Sequence, residues 1–166
     1  MPSRLLERDA PLSALLSALA EAETGRGSTA LVSGEAGIGK TSLVREFAGR
    51  VGTRARLLQA ACDDLVTPRT LGPLHDAAAG TDGPLAAALA EEGQVFTALL
   101  DELAESTPTV LIVEDAHWAD DATLDVLGYA ARRLESRGAL LVLTVRDEAI
   151  DANHPLHRLF GMLTSV

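Results

Sequence analysis

Lysine is all but absent from this sequence: of 14 basic residues in a chain of 166, 13 are arginine and one, Lys40, is lysine. Aromatic residues make up only 3%, so the core has to be assembled from leucine, alanine, valine and isoleucine. There is one cysteine, Cys62, which rules out an internal disulfide and points to a reducing compartment. The longest apolar run is six residues, 85–90, far too short for a membrane-spanning helix. The leucines of the first dozen residues are interrupted by Arg4, Glu7, Arg8 and Asp9, so no signal-peptide core stands there. Positive charge is the minority sign. With 24 acidic residues the net charge is −10, a balance that repels a phosphate backbone and argues against direct nucleic-acid binding by this segment. These absences together predict a cytoplasmic protein that engages no membrane.

What is present is globular: 47% hydrophobic and 23% charged residues, in a length that fits one domain spanning 1–166. A chain of this size buries roughly 68–70% of its unfolded surface and needs no covalent or metal staple. Leu12, Leu15, Leu16 and Leu19 fall at helical spacing, predicting an amphipathic helix that ends near Thr24 and Gly25. Residues 28–33 read as a strand, 40–51 as a helix burying Leu43, Val44, Phe47 and Val51, and 55–62 as a second strand. After a loop-rich stretch, 84–106 is helical with a break near Gly93. Residues 110–113 are a short, wholly apolar strand of the kind buried on both faces of a parallel sheet, and 139–145 reads as another buried strand. Between them a helix capped by Asp120 or Asp121 runs to about 136, and a last helix is expected over 154–162. Strands alternating with helices give an α/β fold with a parallel sheet.

Gly34-Glu35-Ala36-Gly37-Ile38-Gly39-Lys40-Thr41 matches the pattern G-x-x-x-x-G-K-[ST], the Walker A loop. Its glycines let backbone N–H groups turn inward around phosphate oxygens, and the helix that follows adds unpaired N–H groups and a positive dipole end. Lys40 supplies a mobile charge and the Thr41 hydroxyl a hard oxygen for Mg²⁺, with Ser42 next in line on the same helical turn. A chance match in a chain of this composition is on the order of one in a thousand. The motif also lies between a strand and a helix, as the chemistry requires, and it holds the sole lysine. The expected ligand is ATP with Mg²⁺.

Residues 110–113 lead directly into Glu114 and Asp115, two carboxylates at the end of a buried strand. A strand of this form brings an acid at its C-terminal tip to Mg²⁺ and the attacking water, and alternation along a strand sends the two side chains in different directions, to different jobs.

The run Glu114-Asp115-Ala116-His117-Trp118-Ala119-Asp120, with the glycine loop and the strand end Thr144-Val145-Arg146, resembles AAA-type signal-transduction ATPases. More closely, it is similar to the origin-recognition-like ATPase segment at the N-terminus of large ATP-binding LuxR-family transcriptional regulators. That resemblance implies a three-layer P-loop NTPase fold, here incomplete at its C-terminal end. It places Glu114 as the Mg²⁺-coordinating acid, Asp115 as the acid that orients water and Arg146 as a γ-phosphate sensor. The order Glu then Asp, longer arm first, predicts slow hydrolysis. The stretch Glu7-Arg8-Asp9 falls where the family has an adenine-side loop, which makes Arg8 a candidate nucleotide contact. The resemblance also implies that the fifth strand and helical lid are missing, leaving the 28–33 strand as an exposed apolar edge open to self-association, and that further regions of a parent regulator act as partners.

Two other functions stand beside a regulatory ATPase: a small-molecule or nucleotide kinase, and a fragment that does not hydrolyse nucleotide. His117 and Trp118 read either as a sensor platform or as packing, with Trp118 buried and His117 near a helix cap. His154 and His157 lack the companions of a transition-metal site. Cys62 reads as a buried structural thiol.

Overall fold

The computed structural model describes residues 3–104, 108–160 and 164–165. Five parallel strands form one sheet in the order β2-β3-β4-β1-β5, where β1 is Ser28–Val32, β2 Arg56–Ala61, β3 Thr109–Glu114, β4 Ala139–Thr144 and β5 Thr164–Ser165. The helices are α1 (Ser3–Glu23), α2 (Lys40–Val51), α3 (Gly72–Ala78), α4 (Pro84–Ala90), α5 (Val95–Leu103), α6 (Asp121–Ala131) and α7 (His157–Phe160).

The strands bury both faces because alternate residues serve different layers. Val110 and Ile112 of β3 and Leu140 and Val142 of β4 pack with Leu15 and Leu19 of α1 and Phe47 of α2. Their neighbours Leu111, Val113, Leu141 and Leu143 face the opposite layer, with Leu74, Leu99, Leu103 and Leu127 from α3, α5 and α6. Helix, sheet and helix thus stack as three layers, the expected P-loop NTPase architecture. The leucine stripe of α1 and the apolar face of α2 are buried as their spacing predicts. Phe47, fully enclosed, carries one of the larger aromatic contributions in a core that has few.

Four expectations need correction. The strand 28–33 is not an edge: β5 pairs in parallel with β1, Thr164 beside Ala30 and Ser165 beside Leu31. The expectation failed because a two-residue strand has no periodicity to read. Glu7, Arg8 and Asp9 are helical, not a loop, since α1 begins at Ser3 and continues through Pro11. Proline carries no N–H, so the helix loses one internal bond there yet persists on the burial of its later turns. At the other end α6 stops at Ala131, well before 136. Arg132 to Ser136 form turns that still bury Leu134. The last helix is short, starting at His157 after turns that span 152–156, and the expected continuation over 161–162 lies outside the described residues. The expected break near Gly93 is present, with Glu92 in a left-handed conformation at φ 52°. No helix among the described residues is long and apolar enough to cross a membrane.

Candidate functional site

The sheet order puts the C-terminal tips of β3, β4 and β1 side by side, and the motif residues lie at those tips. This is the edge where open α/β sheets receive ligands. β1 ends at Val32, the glycine loop follows, and α2 starts at Lys40. Gly37 and Gly39 have φ of 78° and 105°, conformations that side chains with a Cβ resist. Nothing lies within 4 Å of where a Cβ on Gly37 would project, so backbone conformation is what demands glycine there. Lys40 Nζ donates to Gly34 O at 2.7 Å and Glu35 O at 2.8 Å, folded back over the loop it is meant to serve. Glu35, Ala36 and Ile38 are exposed along the loop, and Thr41 and Ser42 are exposed on the first turn of α2.

At the neighbouring tip Glu114 is the last residue of β3, and its carbonyl accepts the Cys62 N–H at 2.9 Å. Alternation along the strand stops there. Asp115 takes a left-handed conformation with φ 53°, so its direction is set by a turn, not by pleating as expected. Its N–H donates to Thr144 Oγ1 at 2.9 Å, tying the tip of β3 to that of β4. Its carboxylate stands 4.0 Å from Arg146 Nε. Both side chains are more than a third exposed, so this pairing orients more than it stabilises. The Arg146 N–H donates in turn to His117 Nδ1 at 3.4 Å.

His117 and Trp118 lie on a 3₁₀ turn, Ala116–Trp118, with the roles of the two rings exchanged from the expectation. His117 is buried and Trp118 half-buried. Burial holds the His117 pKa below the usual imidazole value; Asp115 opposes this, while Arg146, His154 and Lys40 reinforce it. Asp120 caps α6 as expected, accepting the Thr123 N–H at 3.0 Å, and it also takes the Leu71 N–H at 3.2 Å. The Cys62 thiol is pushed up to about 12 by burial and by the nearby carboxylates of Asp120, Asp115, Asp63 and Asp76. It is therefore an inert structural thiol.

The structure thus gathers the glycine loop, Lys40, Thr41, Asp115 and Arg146 at one end of the sheet. The side chain of Arg8 lies outside the described residues. Two contributors escape the sequence reading. Thr144 positions Asp115 from 29 residues away. Glu148, on the turn after Arg146, accepts the Ala36 N–H at 3.1 Å across 112 residues. No local pattern announces Glu148. Thr144 had a faint signal, a hydroxyl ending an apolar strand.

Hard oxygen donors suit Mg²⁺: a hydroxyl at the start of α2 and carboxylates at the tip of β3. Among the described residues no cluster of three or more His, Cys, Asp or Glu could hold a metal by itself.

Residues 4–143 match the model of the AAA ATPase domain. No curated protein matches the sequence. Among solved structures, Cdc6p from Pyrobaculum aerophilum is 18% identical with a TM-score of 0.61, over 99% of this chain and 46% of that one. A Drosophila ORC bound to AT-rich DNA and Cdc6 is 15% identical with a TM-score of 0.56, over 100% of this chain and 58% of that one. A DNA polymerase III gamma subunit-related protein from Thermotoga maritima is 15% identical with a TM-score of 0.53, over 92% of this chain and 44% of that one. The chain spans about half the length of the solved structures it matches, and at these identities the likeness concerns the fold.

Proposed function

This chain belongs to the AAA ATPase domain family, and from that premise we propose that it is an ATP-binding regulatory module with slow, Mg²⁺-dependent hydrolysis. The observation that carries the reading is the convergence of three strand tips on one edge. The glycine loop with Lys40 stands at β1, the Glu114–Asp115 pair at β3, and Arg146 two residues past the end of β4, the strand between them.

In this reading the loop N–H groups and Lys40 bind the β- and γ-phosphates, Lys40 exchanging its two carbonyl partners for phosphate oxygens. Thr41 and Glu114 hold Mg²⁺, which when bound supplies positive charge against the phosphate oxygens. Asp115 orients water, kept in place by the Thr144 hydroxyl, and Arg146 reports the γ-phosphate to the turn that follows it. Arg8 is proposed as an adenine-side contact. Turnover falls well below about 1 s⁻¹, the low end for working enzymes, because the water-orienting acid is the shorter of the two. The run 114–120 supports placement in a LuxR-family transcriptional regulator acting in the cytoplasm, with the remaining regions of that regulator as partners and self-association as the route to a completed site.

Titration calorimetry with Mg-ATP on the wild-type chain and Lys40→Ala tests the reading. Loss of one charge-assisted phosphate contact removes about 1.5–3 kcal/mol of binding free energy. A Lys40→Ala chain that binds as tightly as wild type overturns nucleotide binding at this loop. Phosphate release of several per second, abolished by Lys40→Ala, overturns slow hydrolysis.

A further inference from the structure

The segment after β4 is fastened at three points, once to the end of β1 and twice to the glycine loop. The Val145 N–H donates to Val32 O at 3.0 Å and the Asp147 N–H to Gly34 O at 3.4 Å. Then the polarity reverses: the loop donates, through the Ala36 N–H, to Glu148 Oε1 at 3.1 Å. A carboxylate oxygen on a glycine-loop N–H is the same donor–acceptor pairing that a phosphate oxygen would make there. Lys40, meanwhile, is occupied by Gly34 O and Glu35 O. Both the loop amide at Ala36 and the loop ammonium therefore have internal partners already.

We propose that Glu148 is a built-in competitor of phosphate: its carboxylate occupies the Ala36 amide of the nucleotide-free loop, and an incoming phosphate has to displace it. The inference rests on the nucleotide-binding reading above and adds a regulatory contact to that site. Two like charges cannot share one small cradle without cost, so a polyphosphate and the Glu148 carboxylate are mutually exclusive at this amide. Arg146 stands two residues earlier on the same turn and faces Asp115. Displacement of Glu148 thereby couples phosphate arrival to the segment that carries Arg146. The electrostatics agree: Glu148 is held below the usual carboxylate range by its own backbone N–H, and Ala36, Lys40 and Arg146 add to this against a burial effect of opposite sign.

The competing view makes Glu148 a strut that preorganises the loop, and the two views predict opposite signs. The test is calorimetry on the full chain, wild type, Glu148→Gln and Glu148→Ala, with pyrophosphate and with Mg-ATP as probes. Removing one like charge beside a phosphate at a water-exposed site should tighten both ligands by about fivefold. In amide spectra of the nucleotide-free chain, both substitutions should shift the Ala36 resonance. If Mg-ATP binds in a Lys40-dependent way while Glu148→Gln binds equally or more weakly, the competitor is overturned and the proposed function stands. If Mg-ATP fails to bind but Glu148→Gln tightens pyrophosphate, the proposed function falls and the competitor stands. Absence of binding by every variant to either probe overturns both.

Discussion

His117 is a buried imidazole whose two nitrogens have unequal fates. Nδ1 accepts the Arg146 N–H, so the neutral ring carries its proton on Nε2, which has no hydrogen-bond partner among the described residues. A proton on Nδ1 would set two donors against each other. The folded-state pKa lies below the ordinary imidazole value of about 6.5, with burial the first cause, so the unfolded chain takes up a proton at higher pH than the folded one. The stability due to this neutral ring is complete above about pH 6.5 and declines as pH falls below it. Urea midpoints measured from pH 8 down to pH 5 should fall below about pH 6.5, and His117→Gln should flatten that decline. An undiminished decline in His117→Gln would assign the slope to carboxylates. Residues such as Lys40, Glu114, Asp115 and Asp120 were legible in the sequence because each belongs to a pattern a few residues long. Thr144, Glu148 and the exchanged burial of His117 and Trp118 were not, because their partners come from distant parts of the chain and only folding supplies them.

Among the elements, α4 and α5 owe their arrangement to one buried carboxylate. Glu102 of α5 accepts the Leu85 N–H at the start of α4 at 3.0 Å and pairs with Arg56 of β2. Its side chain is 1% exposed and that of Arg56 30%. The asymmetry sets the order of costs. Arg56→Met strands a charge in the interior and should cost about 3–5 kcal/mol, whereas Glu102→Gln leaves a guanidinium that reaches water and should cost about 1–2 kcal/mol. Denaturant unfolding of both variants checks the ranking, and equal costs would refute it. At the β3–β4 junction, Thr144→Val removes the acceptor of the Asp115 N–H with little change of shape. A cost of about 1–3 kcal/mol is expected, together with slower phosphate release and unchanged Mg-ATP affinity; loss of affinity instead would place Thr144 in binding. The sequence showed these elements wherever burial leaves a pattern: a helical period in α1 and α2, an apolar run in β3 and β4. It overran α6 because the Leu134 that lengthens the periodic pattern is buried from a turn.

At the scale of the whole molecule, the sheet order brings together tips of strands that are far apart in sequence, and that order is what the alternation of strands and helices leaves unstated. A parallel sheet was readable from two apolar strands with intervening helices. The pairing of β5 with β1 was not, since two residues carry no periodic signal. One feature of the finished fold has a practical reach. The Lys40 ammonium is half-buried and held by two loop carbonyls, and no other side chain in the sequence carries an ε-amine. An amine-selective acylating reagent therefore has one side-chain target in the entire chain, and that target is the centre of the proposed site. Mass spectrometry after brief acylation should find Lys40 modified slowly in the free chain and spared further when Mg-ATP is present. Equal modification with and without nucleotide would show that the ammonium does not engage it. The scarcity of lysine thus makes the protein its own occupancy probe, with no dye or engineered cysteine.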